Sequence, residues 1–209
     1  MHLPVLLTAL CLNSLTAASQ TRDISSQLHV KSASGSNSEL ITPKVFIVDM
    51  FSDEGEAWYG IPEFDILARN ITVPGISPLF PQVHCTADGE ICQVITGEGE
   101  INAAVTINSI AYSPLFDLTK TYFLIAGIAG VSPKVATIGS VTFARYAVSV
   151  ALQYEMDARE IPSNWTTGYW PQGATSPTDN VVEIYGTEVF EVNEALRQIA
   201  MSFARTAIP

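Results

Sequence analysis

Four acids, Asp49, Asp53, Glu54 and Glu56, fall at or just beyond the apolar run Val45-Phe46-Ile47-Val48. A carboxylate at the end of a strand can orient water or accept a proton, which makes Glu54 and Glu56 the candidate catalytic acids. The same stretch has a structural use, because Asp53 and Glu56 stand in the spacing of a capping box for a following helix. Further along, Thr96-Gly97-Glu98-Gly99-Glu100-Ile101-Asn102 joins a strand pattern to a helix pattern. Free backbone N–H groups at such a junction hold an anion or a hydroxyl-bearing ligand, so Gly97, Glu98, Gly99 and Asn102 are candidate ligand contacts. A tight turn in which Asn102 helps to cap the helix is the alternative. The junction is not a dinucleotide fingerprint, since Asn102 stands where a third glycine is needed and no acid closes the next strand near Gly127. In Ala126-Gly127-Ile128-Ala129-Gly130, residues Gly127, Ile128 and Gly130 would let a ligand approach the backbone at a sheet edge, or let a helix pack closely.

Other chemistries lack their parts. There is no GxSxG, and the histidines beyond His2 are His29, in a serine-rich stretch, and His84, beside a cysteine, so a serine triad has no convincing base. Three His and three Cys without HExxH or CxxC give no recognisable metal site, and no cofactor is called for. A formal charge of −11 repels phosphate backbones and anionic lipid surfaces, which removes nucleic acid from the expected partners.

The elements that must position these residues read as an α/β fold. The first 18 residues, with no acid, Lys or Arg and an apolar run from Leu3 to Leu12, read as a secretory signal peptide. Residues 19–43 read as a flexible linker and 44–209 as one domain. Strands are expected at Val45–Val48, Glu90–Thr96 and Tyr122–Ala126, the first and the last of them buried, with a helix over Ile101–Tyr112 between the last two. Thr137–Leu152 predicts one or two longer strands, Ile161–Thr178 a loop or lid bearing Trp165, Tyr169 and Trp170, and Glu188–Arg205 an amphipathic helix. After the leader no apolar window reaches membrane-spanning length; the longest, Tyr122–Val131, carries two glycines.

Export agrees with two further features. Asn70-Ile71-Thr72 and Asn164-Trp165-Thr166 are glycosylation acceptors, so Asn70 and Asn164 are candidate glycan sites on a secreted or cell-surface chain. An Asp88-Gly89 two-residue turn would pair 87 with 90, 86 with 91 and Cys85 with Cys92, at a Cα separation a disulfide tolerates.

The set formed by Thr96-Gly97-x-Gly99-x-x-Asn102-Ala103-Ala104, Ala126-Gly127-Ile128-Ala129-Gly130, Ile138-Gly139-Ser140-Val141 and Ala144-Arg145-Tyr146 resembles the first half of the nucleoside phosphorylase and nucleosidase fold. More narrowly, Val45 to Phe51, Phe123 to Val131, and Leu152-Gln153-Tyr154-Glu155 through Trp165-Thr166-Thr167-Gly168-Tyr169 resemble the fungal purine nucleoside permease family. The resemblance covers residues 43–205. It implies a central mixed β-sheet flanked by helices, incomplete at its C-terminal end, and purine nucleosides as ligands, with Arg145 among the binding residues. Members of this fold continue beyond this length, and the later segment supplies their ribose-contacting Glu and catalytic Asp. The chain therefore reads as a truncated gene model, a fragment or a degenerate copy. Missing last strands would leave an exposed edge and apolar helix faces, which favour a partner chain or a homo-oligomer. Ile125 stands where phosphorylase relatives carry an arginine, so any cleavage is expected to use water, with Glu54 or Glu56 corresponding to the water-orienting acid. Three functions follow from the resemblance: nucleoside capture for uptake or salvage, hydrolysis of the N-glycosidic bond, and an inactive fragment.

Overall fold

The computed structural model describes residues 40–207 of the chain. The expected signal peptide and most of the linker lie outside the described residues. The described chain forms two compact units that divide between Ile128 and Ala129, within the stretch read from sequence as one domain.

The first unit is built on β1 (Val45–Asp49), a continuous apolar strand buried from Phe46 to Asp49. Such a strand needs cover on both faces, and it gets it. β4 (Ile91–Ile95) and β5 (Tyr122–Ile125) flank β1 in parallel, while the antiparallel β2 (Arg69–Thr72) and β3 (Gln82–Cys85) extend the sheet to the order β2-β3-β4-β1-β5. The chain leaves β4, passes through α2 (Glu100–Ala111), and returns on the far side of β1. The sheet is therefore mixed and the class α/β, as expected, but β5, expected as a buried strand, is exposed from Tyr122 to Ile125 because it is the edge strand of the sheet.

One sheet face carries Phe46, Val48, Val83, Cys85, Cys92 and Val94, which pack with Ile110 and Phe116 into the core. Phe46 meets Phe116 edge-on at 6.0 Å and stacks on Phe123 at 5.7 Å. The opposite face is covered over β1 and β4 by a short helix, α1 (Ser52–Gly55), and a single 3-10 turn (Glu56–Trp58). Ile41 is already part of this unit: its N–H donates to the Leu115 carbonyl, and it is 7% exposed beside Phe116. Folded structure thus starts before residue 43, because an apolar Ile at the end of a serine-rich stretch can still be buried.

Cys85 and Cys92 face each other across β3 and β4 and form a disulfide, both fully buried. The turn that brings them together differs from the expected one. Its reversal runs over Thr86–Gly89, with the Gly89 N–H donating to the Thr86 carbonyl. Asp88 accepts from the Thr86 hydroxyl and the Glu90 N–H, a wider turn held by a side chain, and the 86–91 and 85–92 registers survive.

The second unit contains two antiparallel ribbons, β6 (Tyr146–Val148) with β9 (Val189–Glu191) and β7 (Gln153–Glu155) with β8 (Tyr169–Pro171), and the helix α3 (Glu194–Thr206). Among the described residues the buried apolar side chains, from Ile41 to Phe116, belong to the first unit; in the second, Ile138 and Val141 are exposed. Two elements differ from those expected. Thr137–Leu152 yields only the three-residue β6, since β-branched residues make a strand when a neighbour buries them. The final helix starts at Glu194 and not at Glu188, because the Asn193 side chain accepts from the Leu196 N–H and caps it there, while Val189–Glu191 pairs with β6. Within the stretch expected as a loop, Tyr169–Pro171 pairs as β8, and Trp170 packs against Tyr154 and Trp165. Among the described residues no helix is long and apolar enough to cross a membrane.

Candidate functional site

The carboxyl ends of β4, β1 and β5 lie side by side at one sheet edge. There the Thr96 N–H donates to the Asp49 carbonyl at 2.8 Å and the Ala126 N–H to the Val48 carbonyl at 3.0 Å. Ligand crevices in open α/β sheets form at this edge, where connections leave the central strand toward opposite sides.

Glu54 is the carboxylate the fold brings to it. Its side chain is only 8% exposed, and it ties two strand ends together: Oε2 accepts from the Met50 N–H at 2.8 Å and Oε1 from the Ile128 N–H at 3.0 Å. Phe51 occupies the N-cap position of α1 without a side-chain cap, so the Asp53–Glu56 capping box does not form. Glu54, three residues after Phe51, instead reaches back to the chain entering the helix, which satisfies an N–H that would otherwise lack a partner. Gly127 makes this approach possible. A Cβ at 127 would come within 2.6 Å of Glu54 Oε1.

The glycine turn stands at the same edge. Gly97 and Gly99 have φ of 82° and 91°, the left-handed region that other residues avoid, and Gly99 is the N-cap residue of α2. Asn102 does not cap the helix; its Nδ2 donates to the Glu98 carbonyl at 2.7 Å and closes the turn. Glu98 is exposed there. Glu54, Gly97, Glu98, Gly99, Asn102, Gly127 and Ile128 thus all belong to the first unit, on the ends of its parallel strands. Glu56 does not join Glu54: it is exposed in the 3-10 turn and lines a separate cleft with Tyr59 and His84. Gly130 and Arg145 belong to the second unit, where Arg145 pairs with Glu191 at 2.8 Å and lies over the Tyr146 ring. Asn70 and Asn164 are exposed.

Sequence reasoning missed the support beneath Glu54. Asp49 is fully buried at the end of β1; its Oδ2 accepts from Gln93 Nε2 at 2.7 Å and its Oδ1 from Trp58 Nε1 at 3.3 Å. The same Gln93 nitrogen donates to the Gly55 carbonyl at 2.8 Å, locking α1 under the strand ends. A polar Gln in the strand pattern Ile91–Ile95 was the available signal. Burial pushes the Asp49 carboxyl above the ordinary aspartate value, and Glu54 adds to the effect, against hydrogen bonds from Gln93 and Trp58 that lower it. The folded form therefore holds the proton to higher pH than the unfolded chain. Stability from this group should fall as pH rises from the ordinary aspartate value near 4 through the raised one. In urea titrations across this range, Asp49→Asn should lack that component of the slope; an identical slope in the variant would refute it.

Among the described residues no group of three or more His, Cys, Asp or Glu is placed to hold a metal ion. What the edge can do is accept hydrogen bonds through a carboxylate and donate them through backbone N–H groups.

The fold and edge define an α/β protein whose parallel strand ends carry a buried carboxylate and a glycine turn. Comparison with known proteins narrows this. The family model described as purine nucleoside permease matches residues 42–208, and the chain belongs to the purine nucleoside permease family. A protein of Candida albicans named purine nucleoside permease is 48% identical over 179 residues, covering 84% of this chain and 43% of its own length. A probable purine nucleoside permease of Schizosaccharomyces pombe is 43% identical over 175 residues, covering 79% of this chain and 50% of its own. The chain spans about half the length of the curated relatives it matches. No solved structure matches it.

Proposed function

We propose that this chain binds purine nucleosides at the carboxyl edge of β4-β1-β5, on a nucleoside phosphorylase-like α/β domain, and serves their capture for uptake or salvage. The observation that carries the reading is the buried Glu54 carboxylate held against the Gly127–Ile128 backbone, at strand ends that also bear the Gly97–Gly99 turn. Carboxylate and backbone N–H groups together suit the hydroxyls of a ribose. Relatives named purine nucleoside permease agree with that ligand class. Export through a leader over residues 1–18, and glycans on the exposed Asn70 and Asn164, belong to the same proposal.

Hydrolysis of the N-glycosidic bond is the second reading, favoured by one observation: Glu54 is a shielded carboxylate at the strand edge, suited to orient water once it releases one of its two backbone partners. A single experiment tests both readings. The purified chain is dialysed against adenosine, inosine and guanosine, with and without phosphate, and base and sugar are followed by chromatography. Retained nucleoside is the expected result, and release of base without phosphate adds hydrolysis. Failure to retain any of the three, with no base released, would sink both.

A further inference from the structure

The first unit carries a concavity apart from the strand edge, a cleft of about 260 Å³ between the 3-10 turn after α1 and the segment that leads into β3. We propose that this cleft is the subsite for the base of the nucleoside, and that it selects an amino-substituted heterocycle. The inference rests on the nucleoside-binding reading above and names the part of the ligand that reading leaves unplaced.

Size is the first argument. Whole small-molecule sites occupy about 300–1,000 Å³, so a cleft below that range suits a planar bicyclic base and leaves the sugar outside it. Position is the second. Ile95, on the cleft wall, immediately precedes Thr96 and the Gly97 turn, and Ser52, also on the wall, opens the helix that carries Glu54. A base in the cleft would therefore hold its ribose toward the glycine turn.

Chemistry supplies the selectivity. Tyr59 and Phe80 give aromatic surface for a planar ring. Tyr59 meets the His84 ring edge-on, at 6.2 Å between centroids. His84 Nδ1 is 2.5 Å from the Asn70 side-chain oxygen, which can only accept, so Nδ1 carries the hydrogen. Burial keeps the His84 pKa below its ordinary value, hence the ring is neutral and Nε2 is an acceptor. Glu56, exposed on the cleft wall, is a second acceptor. Two acceptors beside aromatic surface call for a ring with N–H donors, and an exocyclic amine is the donor that distinguishes one purine from another.

Adenosine and purine riboside, which lacks the 6-amino group, differ in that donor alone. Calorimetry on the full chain should show adenosine binding about tenfold more tightly. Glu56→Ala, which removes one of the two acceptors, should narrow the difference by weakening adenosine and leaving purine riboside unchanged, which a merely structural role would not do. Tyr59→Leu should weaken both ligands, with circular dichroism melts confirming the fold of each variant. Equal affinities in the wild type, or Glu56→Ala without effect on adenosine, would overturn the base subsite while leaving nucleoside binding intact. If neither nucleoside binds, the nucleoside reading fails, and free adenine decides the cleft separately: binding weakened in Glu56→Ala keeps the amine site, and no adenine binding overturns it.

Discussion

Replacing Glu54 by Gln is expected to destabilise the first unit by about 1–2 kcal/mol and to lower the nucleoside retention proposed for it. In the native chain each carboxylate oxygen accepts from one backbone N–H, Met50 on one side and Ile128 on the other. An amide has one oxygen, so one of those N–H groups would face an NH2, and an N–H left unpaired away from water costs about that amount. Urea midpoints measure the stability, and the dialysis assay measures the function. If base release occurs, loss of the carboxylate should lower its rate about 10²–10⁴-fold, the range for a positioned general base. Gly127→Ala should act in the same direction, since its Cβ would come within 2.6 Å of Glu54 Oε1 and push the carboxylate away. Glu56→Gln serves as the stability control, because an exposed side chain away from such contacts changes stability by less than about 0.5 kcal/mol. If Glu54→Gln matched the wild type in both midpoint and nucleoside retention, the role assigned to the carboxylate would be wrong.

Reducing the Cys85–Cys92 disulfide should cost about 2.5 kcal/mol, the loop-closure estimate for a bridge spanning so short a segment. Both sulfurs are buried in the core between β3 and β4, so the reduced thiols keep their packing and the loss is carried mainly by the unfolded chain. The readout is the urea midpoint with and without dithiothreitol, with Cys85→Ser/Cys92→Ser as a second probe. That variant should lose more than reduction alone, because it also places hydroxyls in an apolar core. A midpoint unmoved by verified reduction would contradict the role given to the bridge.

Much of the first unit was legible in the residues. The run Val45–Val48 announced a strand buried on both faces, the alternation of strand, helix and strand from residue 90 to 126 announced parallel pairing, and the two cysteines announced their own register. These are short-range signals: a continuous apolar run, a helical period, a turn flanked by partners. The second unit was less legible. Its β-branched stretch over Thr137–Leu152 has strand propensity, but propensity becomes a strand only where a partner buries it, and Ile138 and Val141 remain exposed. The start of the last helix turned on one side-chain cap at Asn193, a choice among several polar residues that spacing does not rank.

The site divides in the same way. Sequence by itself determined the α/β class, the glycine turn at Gly97–Gly99, the acids after β1 and the cysteine pair. Family membership agrees with the resemblance those segments carried. Only the tertiary structure decided between Glu54 and Glu56, sending the first to the strand edge and the second to the cleft wall, because α1 ends at Gly55 and the chain continues as a 3-10 turn. It also recruited Asp49, Gln93 and Trp58, whose contacts join residues as far as 44 positions apart. A carboxylate's neighbours across a sheet depend on strand order, and strand order follows from long-range burial, which no local pattern encodes.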